Sequence, residues 1–258
     1  MALAYSGNLD KYITTESEET WEDYWQVENV IIQREFNMEY PYEDCFREAA
    51  EENQLPVSLL LAISRGESGF NPRAVSSANA VGMMQILWPI TAKDLGFSTK
   101  EQLYNACDNI HAGARYIKQL IEKFDNNLHL AVAAYNYGPQ GISQQLSRRG
   151  KISQGALGYS SYILYHLDKI RKTFSRGDEG AETKKKIFPV ERYNLFTSKD
   201  WVQTHRIKSA LEKHIKGIRL HVFTDRLGLT SLVFVNDDDN QYRRKRMIRD
   251  LKKFGYLK

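Results

Sequence analysis

The 258-residue chain lacks the long hydrophobic runs and the cysteine content that mark specialised protein classes. Its best apolar runs, near Leu59–Ile63 and Leu130–Tyr135, fall short of the roughly 18 to 20 residues that a membrane span needs. The amino terminus has neither a basic region nor a long apolar segment, so no secretion signal is visible there. Two cysteines are too few for a disulfide scaffold, and neither lies in a CxxC pair.

Histidine spacing and overall composition argue against further classes of protein. The six histidines show no HExxH spacing, which argues against a zinc hydrolase. Hydrophobic residues make up 42% of the chain, a fraction too large for a disordered protein. At roughly 150 residues per domain, the length fits one large domain or two small ones.

Charge is distributed unevenly along the chain. Residues 1–55 carry 14 Asp and Glu against 3 Lys and Arg, whereas residues 176–258 carry 20 Lys and Arg against 11 Asp and Glu. This asymmetry predicts segments that function separately. By charge alone, the basic tail fits nucleic acid, anionic lipid or an anionic wall polymer equally well.

Hydrophobic spacing predicts a mainly α protein, with an all-α domain followed by a small α+β unit. Apolar residues recur at helical intervals up to about residue 175, and no strand is predicted there. The tail is predicted as helix–strand–strand–helix, with strands near 218–222 and 232–235. The predicted segments are an acidic amino-terminal segment at 1–41, a helical domain at 42–175, a linker at 176–189 and a small accessory module at 190–258.

Glu67 is the first candidate for chemistry. It continues the apolar stripe of Leu60 and Ile63 at the end of a predicted helix that begins near Pro56. Partial burial raises the pKa of a carboxyl, which is what a general acid for glycosidic cleavage requires. Spacing alone leaves open a structural ion pair with Arg65 or Arg73.

Four sequence blocks give Glu67 a context. In order, they are ESGFNP at 67–72, GMMQI at 82–86, NIHAGARYI at 109–117 and AAYNYGP at 133–139. Together they resemble the lytic transglycosylase catalytic domain, which is related to soluble lytic transglycosylase and goose-type lysozyme, along about residues 42–172. The resemblance implies a lysozyme-like fold and no cofactor or metal.

The resemblance also implies a reaction. Glu67 matches the single catalytic carboxylate, which protonates the oxygen between N-acetylmuramic acid (MurNAc) and N-acetylglucosamine (GlcNAc). It then acts as a base on the muramoyl C6 hydroxyl, so the product ends in a 1,6-anhydromuramoyl group. Internal attack by a well-placed hydroxyl competes with water because its effective molarity is high.

Further site residues follow from the same resemblance. Tyr162 matches a tyrosine that hydrogen-bonds the catalytic acid, but Tyr159 competes with it because Gly155-Ala-Leu-Gly replaces the usual acidic sequence there. The implied substrate-binding positions are Ser68, Met84, Gln85, Tyr135, Asn136 and Tyr162.

The two cysteines match positions that are joined in the specialised transglycosylases of secretion and conjugation machines. A Cys45–Cys107 disulfide is therefore expected, and with it an oxidising compartment such as the periplasm or cell envelope. The implied partners are peptidoglycan glycan strands and, through the termini, a wall-spanning secretion, conjugation or phage assembly. No nucleic acid partner and no transmembrane segment are expected.

Two other functions remain open at this stage. A hydrolase of lysozyme type would have the same fold but admit water, and a second acidic residue in the cleft would favour it. A non-catalytic wall-binding scaffold would use the fold alone, although the joint presence of Glu67, Gln85, Tyr135 and Asn136 argues against that interpretation.

Overall fold

The computed structural model describes residues 38–150, 152–171, 173, 185–186, 191–224, 229–236 and 240–258. Most of the predicted acidic segment and most of the predicted linker lie outside these ranges. The predicted domain boundaries therefore stay predictions.

The first part of the chain is helical, with two very short strand pairs. The two-residue strands β2 and β3 form a small antiparallel hairpin, and β1 pairs with β4 in parallel. Strands of two residues are too short to leave a periodic pattern, which is why the sequence predicted none here. The elements are β1 Met38–Glu39, α1 Glu43–Glu52, α2 Val57–Glu67, β2 Ala80–Val81, β3 Ile86–Leu87, α3 Ile90–Asp94, a 3₁₀ turn Glu101–Tyr104, α4 Ala106–Lys123, α5 Leu128–Tyr137, α6 Pro139–Arg149, α7 Gln154–Arg171 and β4 Lys185–Lys186.

Helix α2 runs through the centre of this helical part. Every residue from Ser58 to Gly66 is buried, as expected of a helix that packs on all sides. It follows Pro56, which cannot donate a backbone hydrogen bond, and it ends before Gly69 and Phe70, both at positive φ. The end of a buried helix thus places Glu67 at the edge of the core.

The loop after β2 is held by the side chain of Asn109 in α4. Its Oδ1 accepts a hydrogen bond from the Met84 backbone N at 2.7 Å, and its Nδ2 donates to the carbonyls of Val81 at 2.9 Å and Leu103 at 3.0 Å. Asn109 is itself fully buried, so these bonds satisfy the polar groups around it. This one amide therefore fixes the position of the residues that precede Gln85.

The carboxy-terminal unit contains one strand more than predicted. Its elements are β5 Glu191–Ser198, α8 Trp201–His214, β6 Leu220–Thr224, β7 Thr230–Asn236 and α9 Gln241–Lys253. The antiparallel sheet has the order β5–β7–β6, so the missing strand β5 forms one edge. A register shift between Asn194 and Phe196 interrupts the alternation of β5, and this irregularity concealed the strand from periodicity.

The two faces of this sheet pack against different partners. One face forms a core with α8 and α9 through residues that include Leu220, Leu232 and Phe234. From the other face, Phe223, Val233 and Val235 join the core of the helical part. The unit thus lies directly against α7 and shares apolar packing with it.

Two glycines of α7 permit this close approach. A Cβ built on Gly158 would lie 2.2 Å from the Val222 carbonyl oxygen, and one on Gly155 would lie 2.3 Å from Oγ1 of Thr224. Both separations are far shorter than any real contact. Strand β6 therefore occupies space that any other side chain on α7 would fill.

The predicted fold class and disulfide are both confirmed. The chain is mainly helical, with an α+β unit at its end. Cys45 in α1 is bonded to Cys107 in α4, with their Cα atoms 5.3 Å apart across 62 residues of sequence. None of the helices in the described ranges has the length and apolar composition of a membrane span.

Candidate active site

Glu67 lies in a cleft of about 480 Å³ that runs between the helical part and the carboxy-terminal sheet. Residues from the helical part and from all three strands of the carboxy-terminal sheet form its wall. The residues that line the cleft include Glu67, Ser68, Gln85, Tyr135, Asn136, Arg192, Asn194, Phe223 and Ser231.

The surroundings of Glu67 favour its protonated form. Burial raises the pKa of its carboxyl above the ordinary value of 4.5, while the positive charge of Arg192 and a hydrogen bond from Tyr159 act in the opposite direction. The hydroxyl of Tyr159 donates to Oε1 of Glu67. A carboxyl with a raised pKa retains its proton closer to neutral pH, which is the property of a general acid.

Four of the predicted substrate-binding residues lie in the cleft with Glu67. The Oγ of Ser68 donates to the Met83 carbonyl at 2.7 Å, and the hydroxyl of Tyr135 donates to the Met84 carbonyl at 2.9 Å. Both side chains therefore attach the cleft wall to the loop that follows β2.

Gln85 and Asn136, the other two predicted residues in the cleft, each have a side-chain oxygen available as an acceptor. The Nε2 of Gln85 donates to the carbonyls of Gly82 at 3.0 Å and Ala74 at 3.2 Å, which directs its amide nitrogen toward the loop. Within the described residues, the buried Oδ1 of Asn136 has no hydrogen-bond partner. An unpaired buried oxygen in a cleft is costly, and it is suited to accept a hydrogen bond from a ligand.

Met84 and Tyr162 are placed elsewhere. Met84 is fully buried, and its side chain packs where a Cβ on Gly113 would lie. The hydroxyl of Tyr162 donates to the Gly66 carbonyl at 2.8 Å, and its ring lies 5.6 Å from that of Phe223. Neither residue lines the cleft. The hydrogen bond to the acid comes from Tyr159, the competing candidate.

The sequence did not identify the contribution of the sheet. Arg192 and Asn194 come from β5, Phe223 from β6 and Ser231 from β7. Because β5 was not predicted, nothing in the pattern singled out Arg192. The spacing of Arg192 and Asn194, two residues apart on one strand face, was the one available signal.

The cleft contains one carboxyl among the residues that the structure describes as lining it, and this is Glu67. In the same described ranges, no group of three or more His, Cys, Asp or Glu side chains is arranged to hold a metal ion. Within this described lining, Glu67 is the carboxyl whose position and raised pKa suit it to act as an acid.

Comparison with known proteins locates the site within a family. The model of the Transglycosylase SLT domain matches residues 44–156. The soluble lytic murein transglycosylase of Escherichia coli K12 is 36% identical over 105 residues, which cover 38% of this chain and 16% of that protein. The membrane-bound lytic murein transglycosylase C of Klebsiella pneumoniae strain 342 is 30% identical over 141 residues, which cover 51% of this chain and 35% of that protein.

A solved structure is also similar. The 70 kDa soluble lytic transglycosylase of Escherichia coli aligns with a TM-score of 0.46 at 27% identity, covering 54% of this chain and 26% of that one. The chain thus spans well under half the length of the relatives named here. The family match contains Glu67 and the three blocks that follow it, and the resemblance read from those blocks is confirmed. Residues 44–156 of this chain therefore match the Transglycosylase SLT domain.

Proposed function

We propose that this chain is a peptidoglycan lytic transglycosylase that cleaves the MurNAc-β-1,4-GlcNAc bond and leaves 1,6-anhydromuramoyl ends. The observation that carries the proposal is the state of Glu67, a half-buried carboxyl with a raised pKa that lines a cleft. The two relatives described above are both named lytic murein transglycosylases, which supports this substrate class.

Glu67 acts twice in the proposed reaction. First, its carboxyl gives a proton to the glycosidic oxygen while the bond from that oxygen to muramoyl C1 breaks. The muramoyl C6 hydroxyl then attacks C1, and its proton passes to the Glu67 carboxylate. The acid is thereby regenerated, and no water is consumed.

The absence of a second carboxyl supports this route over hydrolysis. Enzymes that activate water or form a glycosyl-enzyme intermediate use a pair of carboxyl groups. Among the described cleft-lining residues, only Glu67 carries a carboxyl. An internal nucleophile removes the need for the second group, because the substrate itself supplies the hydroxyl in position.

Polar groups of the cleft fit an acetamido sugar. The unpaired Oδ1 of Asn136 is suited to accept from an acetamido N–H, and Gln85 retains its own carbonyl oxygen for a sugar hydroxyl. Ser68 and Tyr135 donate to the loop that carries Gln85, so we assign them the support of the cleft wall. Met84 and Tyr162 are buried outside the cleft lining and support the wall through their packing.

The proposed site of action is the periplasm or cell envelope. The disulfide between Cys45 and Cys107 is typical of oxidising compartments, and the substrate is found in the cell wall. A wall-spanning secretion, conjugation or phage assembly is the proposed setting for the charged termini.

Digestion of purified sacculi tests the proposal. The wild-type protein should release muropeptides with anhydro ends, which are lighter by one water than hydrolysis products. Glu67→Gln, which is nearly isosteric, should lose several orders of magnitude in rate because both proton transfers are removed. Glu51→Gln, at an exposed carboxyl of α1, serves as the control and should retain activity.

Each alternative function gives a different result. Reducing ends in the wild-type digest would show a hydrolase of lysozyme type. No release by the wild type, with retained binding to sacculi, would show a non-catalytic scaffold. Near-normal release by Glu67→Gln would overturn the assignment of the acid.

A further inference from the structure

The carboxy-terminal sheet reaches the cleft because it packs without a gap on α7. Phe223 from β6 contacts the rings of Tyr159 and Tyr162 at centroid distances of 5.6 Å each. The glycines at 155 and 158 allow the backbone of β6 to approach α7 directly. This packing places the edge strand β5 beside the end of α2.

Arg192 of β5 makes the contact with the catalytic region. Its Nη1 donates to the backbone carbonyl of Glu67 at 2.5 Å. Its guanidinium also lies 6.0 Å from the ring centre of Tyr162 and 5.9 Å from that of Phe223. These contacts fix a rigid, permanently charged group at the end of a helix, where a cation is favourable.

Charged and titratable groups lie near Glu67 on several elements. Tyr159 of α7 donates to its carboxyl, and Arg192 of β5 supplies a positive charge. Tyr135 of α5 is near enough for its own pKa to be raised by Glu67, after the larger effect of burial. Arg65 lies on the same helix as Glu67 and is buried. Of these groups, Arg192 alone comes from the carboxy-terminal unit.

We propose that the carboxy-terminal sheet is a structural wall of the substrate cleft and that Arg192 is the positioning residue through which it acts on Glu67. The hydrogen bond to the Glu67 carbonyl holds the last turn of α2, and the guanidinium charge limits how strongly burial favours the protonated acid. A donor that holds its proton too firmly is a poor acid, so this opposing charge keeps the proton transferable. The part that concerns turnover depends on the proposed function.

The proposal requires the positive charge of Arg192, whereas a purely structural role would not. Arg192→Gln retains a hydrogen-bond donor but loses the charge, whereas Arg192→Lys retains the charge and loses the planar fork. Arg249→Gln is the matched control, since that arginine lies on α9 with 72% of its side chain exposed. All three variants are made in the full chain.

The first measurement needs no substrate. With ¹³C-labelled glutamate side chains, NMR follows the titration of Glu67, which is assigned by the signal missing from Glu67→Gln. We expect the midpoint to move to higher pH in Arg192→Gln and to stay near the wild-type position in Arg192→Lys and Arg249→Gln. An unchanged midpoint in a folded Arg192→Gln would overturn the proposal. So would failure of both Arg192→Gln and Arg192→Lys to fold, since Arg192 would then be a structural residue.

The second measurement is the pH profile of sacculus cleavage. In Arg192→Gln the alkaline limb should move to higher pH, because Glu67 stays protonated longer, and kcat/KM below that limb should fall on the order of tenfold. An alkaline limb that stays at its wild-type position in Arg192→Gln would overturn the effect on turnover. If the wild type cleaved nothing while the NMR midpoint still moved, the proposed function would fail and the coupling of Arg192 to Glu67 would stand.

Discussion

The hydroxyl of Tyr159 donates a hydrogen bond to Oε1 of Glu67, which joins the buried Tyr159 of α7 to the half-buried Glu67 at the end of α2. Burial raises the pKa of Tyr159 well above 10, so the phenol keeps its proton and remains a donor throughout the working range of the site. This hydrogen bond opposes the effect of burial on Glu67. Together with burial and the charge of Arg192, this hydrogen bond influences the pKa of Glu67.

Tyr159→Phe should slow glycan cleavage about tenfold, because one hydrogen bond to a charged group contributes about 1.5 kcal/mol. The lost bond also raises the pKa of Glu67 further, so the alkaline limb of the rate profile should move to higher pH. The measurement is the pH dependence of muropeptide release.

Tyr162→Phe is the matched control for this prediction. Its hydroxyl donates to the Gly66 carbonyl and not to Glu67, so its loss should cost about 1 kcal/mol in the free energy of unfolding. The pH profile of this variant should keep its wild-type position. Equal shifts in both variants would contradict the assignment of Tyr159 as the partner of the acid.

Stability should depend on pH through Glu67. Its folded-state pKa is raised above the ordinary 4.5, so its stabilising contribution is complete below that value and is lost as the pH rises through the folded-state pKa. Glu67→Gln cannot ionise and escapes this loss. The variant should therefore gain stability relative to wild type as the pH rises from about 4.5 toward neutrality.

Urea unfolding at a series of pH values measures this difference. Glu51→Gln removes an exposed carboxyl and should show no comparable trend. A constant difference between wild type and Glu67→Gln across the series would mean that burial does not perturb this carboxyl.

Asn109→Ala should lower the free energy of unfolding by about 3 kcal/mol. The change removes three hydrogen bonds and leaves the backbone N–H of Met84 without its partner in a buried place. Chemical denaturation provides the measurement. Asn105→Ala removes only the exposed cap of α4 and should cost about 1 kcal/mol.

Reduction of the disulfide should lower stability by up to about 4 kcal/mol, from the entropy of the loop that it closes. The loop spans 62 residues between Cys45 and Cys107. Replacing both cysteines by alanine should have the same effect. Reductant should then lower the unfolding midpoint of the wild type but leave the doubly substituted protein unchanged.

The sequence predicted the helical part well, because its helices are long and carry strong apolar periodicity. Glu67 and four cleft residues were predicted from the sequence blocks, because each block combines residues that serve one site. Two of the predicted substrate-binding residues, Met84 and Tyr162, lie outside the cleft lining, and the reasons are local. Met84 was predicted to contact substrate, but it is fully buried and packs where a Cβ on Gly113 would lie.

The hydrophobic periodicity of the sequence did not predict that the carboxy-terminal sheet lines the cleft. The irregularity in β5 concealed the strand that carries Arg192, and no sequence rule relates this arginine to a helix end 125 residues earlier. The choice between Tyr159 and Tyr162 was open for a related reason. One turn of α7 separates them, so both face α2 and only the three-dimensional packing distinguishes them.

The close approach of α7 and β6 affects the width of the cleft. Gly155 and Gly158 do not line the cleft, yet the absence of their side chains determines how near β6 comes to α7. Strand β6 carries Phe223 and pairs with β7, which carries Ser231, and both of these residues line the cleft. The width of the groove is therefore set on a helix surface that lies outside the cleft.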